Sequence, residues 1–287
     1  MATGEGGADS PHLEKRQQEQ AADAAPLRGV VIHEIIRGEG EEELKRDAPQ
    51  MAWSGLAAGL SMGFSFLTQA LIRANLPDEP WRHLVASFGY TVGFAIVVLG
   101  RQQLFTESTL TAVLPVLTNR DGKTLKALLK LWAVVLLANM VGTWLFAGAL
   151  VWWGVFPPET SASLADLAQE AVGNPFWPTL FKAIFAGWLI ALMVWLLPSA
   201  RTARILIIVM ITYVVALAHL SHIIAGSAEA AYAVLGGQAD FGAYLWAFFV
   251  PTLIGNTIGG VALVAMLNHA PIAPKLEQAA EDGAEGG

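Results

Sequence analysis

The chain has 287 residues, of which 54% are hydrophobic and only 14% charged, against about 25% charged in an ordinary soluble domain. Its formal net charge of −7 belongs to the ends: residues 51–270 hold 10 Lys/Arg against 9 Asp/Glu, and the flanking segments hold 7 against 15. With no cysteine, disulfides, thiol nucleophiles and thiolate metal sites are excluded, no strongly basic nucleic-acid surface exists, and the composition is that of a polytopic membrane protein.

Residues 1–26 are rich in Gly, Ala, Gln, Asp and Glu and read as a disordered cytoplasmic tail. No apolar core follows their basic residues, so they do not form a cleaved signal peptide. In residues 27–50, Leu27, Val30, Val31, Ile32, Ile35, Ile36 and Leu44 are interspersed with charges. That pattern predicts a short amphipathic helix, packed on the membrane face or on a neighbouring subunit, ahead of a channel domain over 51–270 and a second disordered cytoplasmic tail over 271–287.

A bilayer crossing needs about 20 mostly apolar residues. Such stretches fall at 51–73, 83–117, 126–154, 175–198, 203–235 and 243–268. The second and fifth are too long for one straight span, and each has polar residues near its middle: Gln102–Ser108 and His219–Ser227. Irregular backbone at that depth is tolerated where it lines a cavity or is buried in protein, so both are expected to be broken helices. Lys45, Arg46, Arg120, Lys123, Lys126, Lys130, Arg201, Arg204 and Lys275 mark one side of the membrane. By the positive-inside rule both termini are cytoplasmic. Trp81, Trp152, Trp153 and Trp177 then sit at the outer interface.

Two features recur at one offset. Asn139, in Ala138-Asn139-Met140-Val141-Gly142, and Asn256, in Gly255-Asn256-Thr257-Ile258-Gly259, are 117 residues apart, as are Phe105 and His222 in the two breaks. Three spans separate equivalent points, so the halves are inserted in opposite directions, as an inverted 3+3 repeat. Gly55, Gly59 and Gly63, and Gly255, Gly259 and Gly260, provide close-packing helix faces.

The chemistry-bearing residues gather at the breaks. Thr106 or Ser108 caps the half-helix that follows, unless Glu107 is the capping carboxylate, and Leu104 and Phe105 project into a lumen as a constriction. A half-helix N-terminus suits an anion. His219 and His222 are ionisable groups inside a span, functional candidates by default; His222, nearer the break, is favoured for proton exchange close to neutral pH. The two histidines share a helical face without an acidic partner at ligand spacing, so no metal and no cofactor are expected. Lys182 either raises the local positive potential or snorkels to the interface. Arg101 either acts on an anion or pairs with Glu107. Asn139 and Asn256 either hold unwound backbone or face the pore. No nucleophile motif or phosphate loop points to an enzyme.

The Gly100…Leu104-Phe105-Thr106 segment, the Ala186–Trp195 stretch, His222-Ile223-Ile224-Ala225 and Gly255-Asn256-Thr257-Ile258-Gly259-Gly260 together resemble the formate–nitrite transporter family, in its bacterial inner-membrane branch, over about 28–270. The resemblance implies an all-α, aquaporin-like membrane fold of six helices and a homopentamer with one pore per protomer. Such pores pass small monovalent anions or their acids, such as formate, nitrite, hydrosulfide or lactate. In the family a central histidine, matching His222, hydrogen-bonds or protonates the anion between two apolar constrictions. Leu104 and Phe105 match constriction residues, Val215 and Ile190 apolar wall positions, and Thr106 a polar loop residue. This chain departs from the family pattern at Ser221, where an acidic residue is common, and at Gly226 and Gly187, where asparagine is usual; its Arg101-Gln102-Gln103 is also more polar. Two functions follow: an anion or weak-acid channel of the bacterial inner membrane, or a poorly conducting scaffold or regulatory homologue of the same fold.

Overall fold

The computed structural model describes residues 10–200, 202–274 and 278, all helical or irregular. Residues 1–9, 275–277 and 279–287 lie outside the described residues, with the parts of the two tail readings that fall on them and Lys275; Arg201 does too. Within the first tail, Lys15–Ala24 form helix α1, started by a Glu14–Gln17 capping box and burying no residue.

Helix α2 (Gly29–Lys45) buries Ile32, His33, Ile36 and Gly40, a stripe at helical spacing. It continues into α3 (Ala48–Ala74), whose N-cap Asp47 accepts the Gln50 N–H. Next come α4 (Arg82–Leu99), the single turn α5 (Phe105–Ser108), α6 (Val113–Asn119), and α7 (Gly122–Trp152), capped by Asp121. Then follow α8 (Pro158–Val172), α9 (Phe176–Leu196), α10 (Arg204–Leu217) and α11 (Ala225–Leu235). The last, α12 (Phe241–His269), contains π-helical turns at Tyr244–Phe249 and Val261–Met266. By length and hydropathy α3, α4, α7, α9 with its 3-10 extension, and α12 are able to cross a membrane; α10 is apolar but shorter.

The two long apolar stretches are interrupted by the same device. Two residues past its last turn, each helix is closed by a residue in the left-handed region: Arg101 (φ 51°) after α4 and His219 (φ 48°) after α10. Gln102 N–H then reaches back to the Val97 carbonyl at 3.0 Å, and Leu220 N–H to that of Val215 at 2.9 Å. This is the Schellman closure, which satisfies carbonyls that a helix end leaves open. The pieces beyond are unequal: α11 is a continuous half-helix, whereas the other is split into α5 and α6 by the turn at 109–112.

Helix α8 lies between the third and fourth apolar stretches. Its Leu164, Leu167 and Ala168 form a satellite core with Phe66 and Leu67 of α3 and Ala228 of α11. Close helix pairs rest on small residues. A Cβ at Gly59 of α3 would stand 2.2 Å from the Asn139 carbonyl oxygen of α7, and one at Gly187 of α9 would stand 2.3 Å from that of Asn256 in α12. Helix α2 lies equally close to the turn before α6, where a Cβ at Gly40 would meet the Thr111 carbonyl at 1.9 Å. His33 Nε2 and His269 Nδ1, 2.9 Å apart, tie α2 to the end of α12.

Candidate functional site

Each break is held by one asparagine through three hydrogen bonds. Asn139 Oδ1 accepts the Phe105 N–H (3.0 Å), and its Nδ2 donates to the carbonyls of Gln103 (3.0 Å) and Gly55 (2.7 Å). Asn256 Oδ1 accepts the Ile223 N–H (2.8 Å), and its Nδ2 donates to the carbonyls of Ser221 (2.9 Å) and Ala183 (2.8 Å). Both side chains are fully buried, and an amide is the smallest group offering an acceptor and two donors at once. The residues bracketed by the two clamps are Leu104 and His222, so the position matching His222 is Leu104, one residue before the Phe105 expected from spacing.

His222 is fully buried and both its ring nitrogens are engaged. Nδ1 accepts the Ala225 N–H at 3.2 Å, and Nε2 lies 2.8 Å from Thr106 Oγ1. Because a backbone N–H can only donate, Nδ1 carries no proton, and this network assigns the neutral Nε2–H tautomer, which donates to Thr106. The ring stands edge-on to Phe94, with centroids 5.0 Å apart. A histidine in the second break and a threonine in the first are thereby joined, 116 residues apart in sequence.

Two chambers flank this joint. The larger, about 390 Å³, opens between α8, α9 and α11 and is lined by His222, Ser221, Val215, Gln69, Tyr90, Glu229, Lys182 and Phe248, among others. The smaller, about 120 Å³, lies under α2 and is lined by Glu39, Glu43, Arg46, Arg101, Gln103, Glu107 and Arg204, among others. Leu104, 2% exposed, lines neither chamber, although its neighbour Gln103 faces the smaller. In α2 the Glu43 carboxyl is pushed up to about 7 by burial, against the opposing effect of the Thr111 hydroxyl that donates to it at 2.8 Å.

The structure brings several of the expected residues together and sets others apart. Thr106, His222, Leu104 and the two asparagines form one buried cluster, with Val215 on the larger chamber. Phe105 is buried but turns its ring onto Trp132 of α7, with centroids 5.7 Å apart, and lines neither chamber. Ile190 is fully buried in the core. Lys182 faces the larger chamber and bonds Asn174 Oδ1 at 3.4 Å. Arg101 is neither deep nor paired with Glu107: its left-handed position at the helix end carries the side chain outward, 72% exposed and 3.5 Å from Glu39. Neither Thr106 nor Glu107 caps α5; the Ser108 and Thr109 hydroxyls turn back to the carbonyls of Phe105 and Thr106. A side chain at Gly226 would meet the Phe248 ring at 2.7 Å, so the packing of that ring depends on the glycine. Glu229 of α11, absent from the residues singled out in the sequence, also lines the larger chamber. Its signal was present: a lone carboxylate inside the fifth apolar stretch, which the intramembrane rule flags.

A helical bundle with two interrupted helices, matched asparagine clamps and polar chambers on either side of the interruption belongs to the broken-helix class of membrane transport proteins. Residues 30–270 match the family model described as Formate/nitrite transporter, and the chain belongs to that family. It is 42% identical over 250 residues to Inner membrane protein YfdC of Escherichia coli (strain K12), covering 87% of this chain and 81% of that protein. It is 26% identical over 241 residues to Formate channel BtFdhC of Bacillus thuringiensis, covering 81% and 91%. Against Nitrite transporter NirC of Salmonella typhimurium (strain LT2) the identity is 27% over 248 residues, covering 83% and 88%. The solved structure titled "Pentameric formate channel with formate bound" shares the fold, with a TM-score of 0.68 at 20% identity over 77% of this chain and 95% of that one.

Proposed function

We propose that the chain is a channel for small monovalent anions or their conjugate acids, formate and nitrite in class, with the permeation path running between the two chambers past Leu104 and His222. The observation that carries this reading is the buried Thr106–His222 hydrogen bond joining the two breaks between a chamber on each side. An ion crossing this apolar layer bare is costly. The neutral His222 offers it an N–H, with Thr106 as the acceptor to be displaced. Proton exchange at the ring itself requires the Ala225 bond to be released, since Nδ1 is occupied while that bond stands. We therefore assign His222 first the role of hydrogen-bond donor.

The remaining assignments belong to the same reading. Six crossings form an aquaporin-like inverted repeat in which α4–α5–α6 and α10–α11 are the broken members, supported by the matched clamps. Residues 51–270 make the channel domain, and 27–50 a cytoplasmic helix across its mouth. Both termini are cytoplasmic, in keeping with the Lys/Arg distribution, and Lys182 draws anions into the outer chamber. Leu104 narrows the path, with Phe105 packed behind it on Trp132, Val215 and Ile190 form its apolar wall, Asn139 and Asn256 keep the breaks open, and Arg101 sits at the α2-side mouth. Five copies in a lipid bilayer follow from the likeness to the pentameric formate channel.

Purified protein in liposomes, screened against formate, nitrite, hydrosulfide and lactate between about pH 5 and 8, is expected to pass at least one of them well above empty vesicles. Absence of flux for all of them across that range establishes the second reading, a non-conducting scaffold, for which the closed layer at Leu104 is the motive.

A further inference from the structure

The larger chamber holds a carboxylate that the channel reading leaves without a task. Glu229, in the middle of α11, lines the same 390 Å³ space as His222, Ser221 and Gly226, and an anionic group there repels the anions the chamber is meant to admit. The other charged and titratable groups around it have partners. Glu170 of α8 bonds Arg73 of α3 at 2.9 Å. His219 lies 3.6 Å from Glu170 and stacks on His83 of α4, with centroids 4.3 Å apart. Lys182 of α9 bonds Asn174, Tyr244 of α12 lies 3.3 Å from Ser227 of α11, and His222 is engaged at both nitrogens. Among the described residues Glu229 has no hydrogen bond or ion pair. The Tyr90 hydroxyl shares the chamber, but a phenol does not release its proton near neutrality.

We propose that Glu229 is the proton-exchanging group of this chamber, protonating the incoming anion before it reaches His222. In the step, the carboxyl O–H bond of Glu229 breaks and the proton passes to an oxygen of the anion. A Glu229 carboxylate and a neutral acid result, and chamber water returns a proton from the solution on the α8 side. The neutral acid then meets the apolar layer, with His222 donating a hydrogen bond to it. The inference rests on the channel reading and supplies the proton source that His222, with Nδ1 occupied, does not.

The test compares formate flux in proteoliposomes of the wild type and of Glu229→Gln, which keeps size and polarity but carries no exchangeable acid proton. Near neutral pH the variant is expected to lose about a hundredfold or more, the lower end of general-acid contributions. At about pH 5, where the bulk solution supplies more neutral acid, it is expected to run close to wild type. An unchanged pH profile overturns the proposal, and so does a gain in flux near neutrality, which marks Glu229 as mere repulsion. Infrared difference spectra of reconstituted protein give a readout independent of flux: a protonated-carboxyl band that titrates, shifts on adding formate, and is missing from Glu229→Gln. Absence of that band overturns the assignment even if the wild type conducts. Its presence with no wild-type flux refutes the channel reading and, with it, proton transfer to a permeating anion, whereas its absence in a conducting wild type refutes the Glu229 assignment alone.

Discussion

The amide side chains of Asn139 and Asn256 carry more of the site than any charged residue. Replacing Asn256 by Ala strands the Ile223 N–H and the carbonyls of Ser221 and Ala183, and a buried polar group left unpaired costs about 1–3 kcal/mol. The expected result is a clear fall in the thermal midpoint in detergent, with a similar fall for Asn139→Ala; an unchanged midpoint contradicts the clamp. Thr106→Val leaves the His222 Nε2–H without its acceptor, while Thr106→Ser retains the hydroxyl. Flux is expected to change markedly in the first and little in the second. At this scale the sequence was informative where a polar residue stood inside an apolar stretch, as His222, Asn139 and Asn256 do. It did not reveal direction. Whether Arg101 points inward or outward depends on one left-handed φ, and whether Phe105 or Leu104 matches His222 depends on which backbone groups the asparagines grip.

Among elements, α2 is coupled to the bundle by a protonatable contact. The Glu43 carboxyl sits at about 7, above the ordinary value of 4.5, because docking buries it. Docking therefore favours the protonated form: its contribution is full below about pH 4.5, declines as pH rises, and is gone above about 7. A spin-label pair across α2 and α6 is expected to loosen as pH passes about 7 in the wild type and to stay tight in Glu43→Gln; identical profiles contradict the coupling. The α9–α12 contact rests on the absence of a side chain at Gly187. Since overpacking a tight contact costs about 1–3 kcal/mol, Gly187→Ala is expected to lower the melting midpoint. The interrupted helices were legible as elements because their apolar stretches are too long and polar at the centre. Helix α8 was not, since its apolar residues are few and it packs on α3 and α11 rather than crossing the bundle. The splitting of α5 from α6 was likewise hidden, because hydroxyls competing for backbone carbonyls leave no mark in hydropathy.

Across the whole molecule, two polar chambers are separated by a thin buried layer, and the chemistry of that layer comes from both halves of the chain: Leu104 and Thr106 from one, His222 from the other. Family membership fixes the kind of protein, and two residues that differ from the resembled pattern, Gly226 backed by Phe248 and Ser221 beside His222, line the larger chamber. The most direct test is formate flux through His222→Phe beside the wild type in proteoliposomes, because the ring volume is nearly kept while the hydrogen-bond donor is removed. The account predicts flux near the empty-vesicle background and loss of the pH dependence. Wild-type flux with the wild-type pH profile in that variant would contradict it.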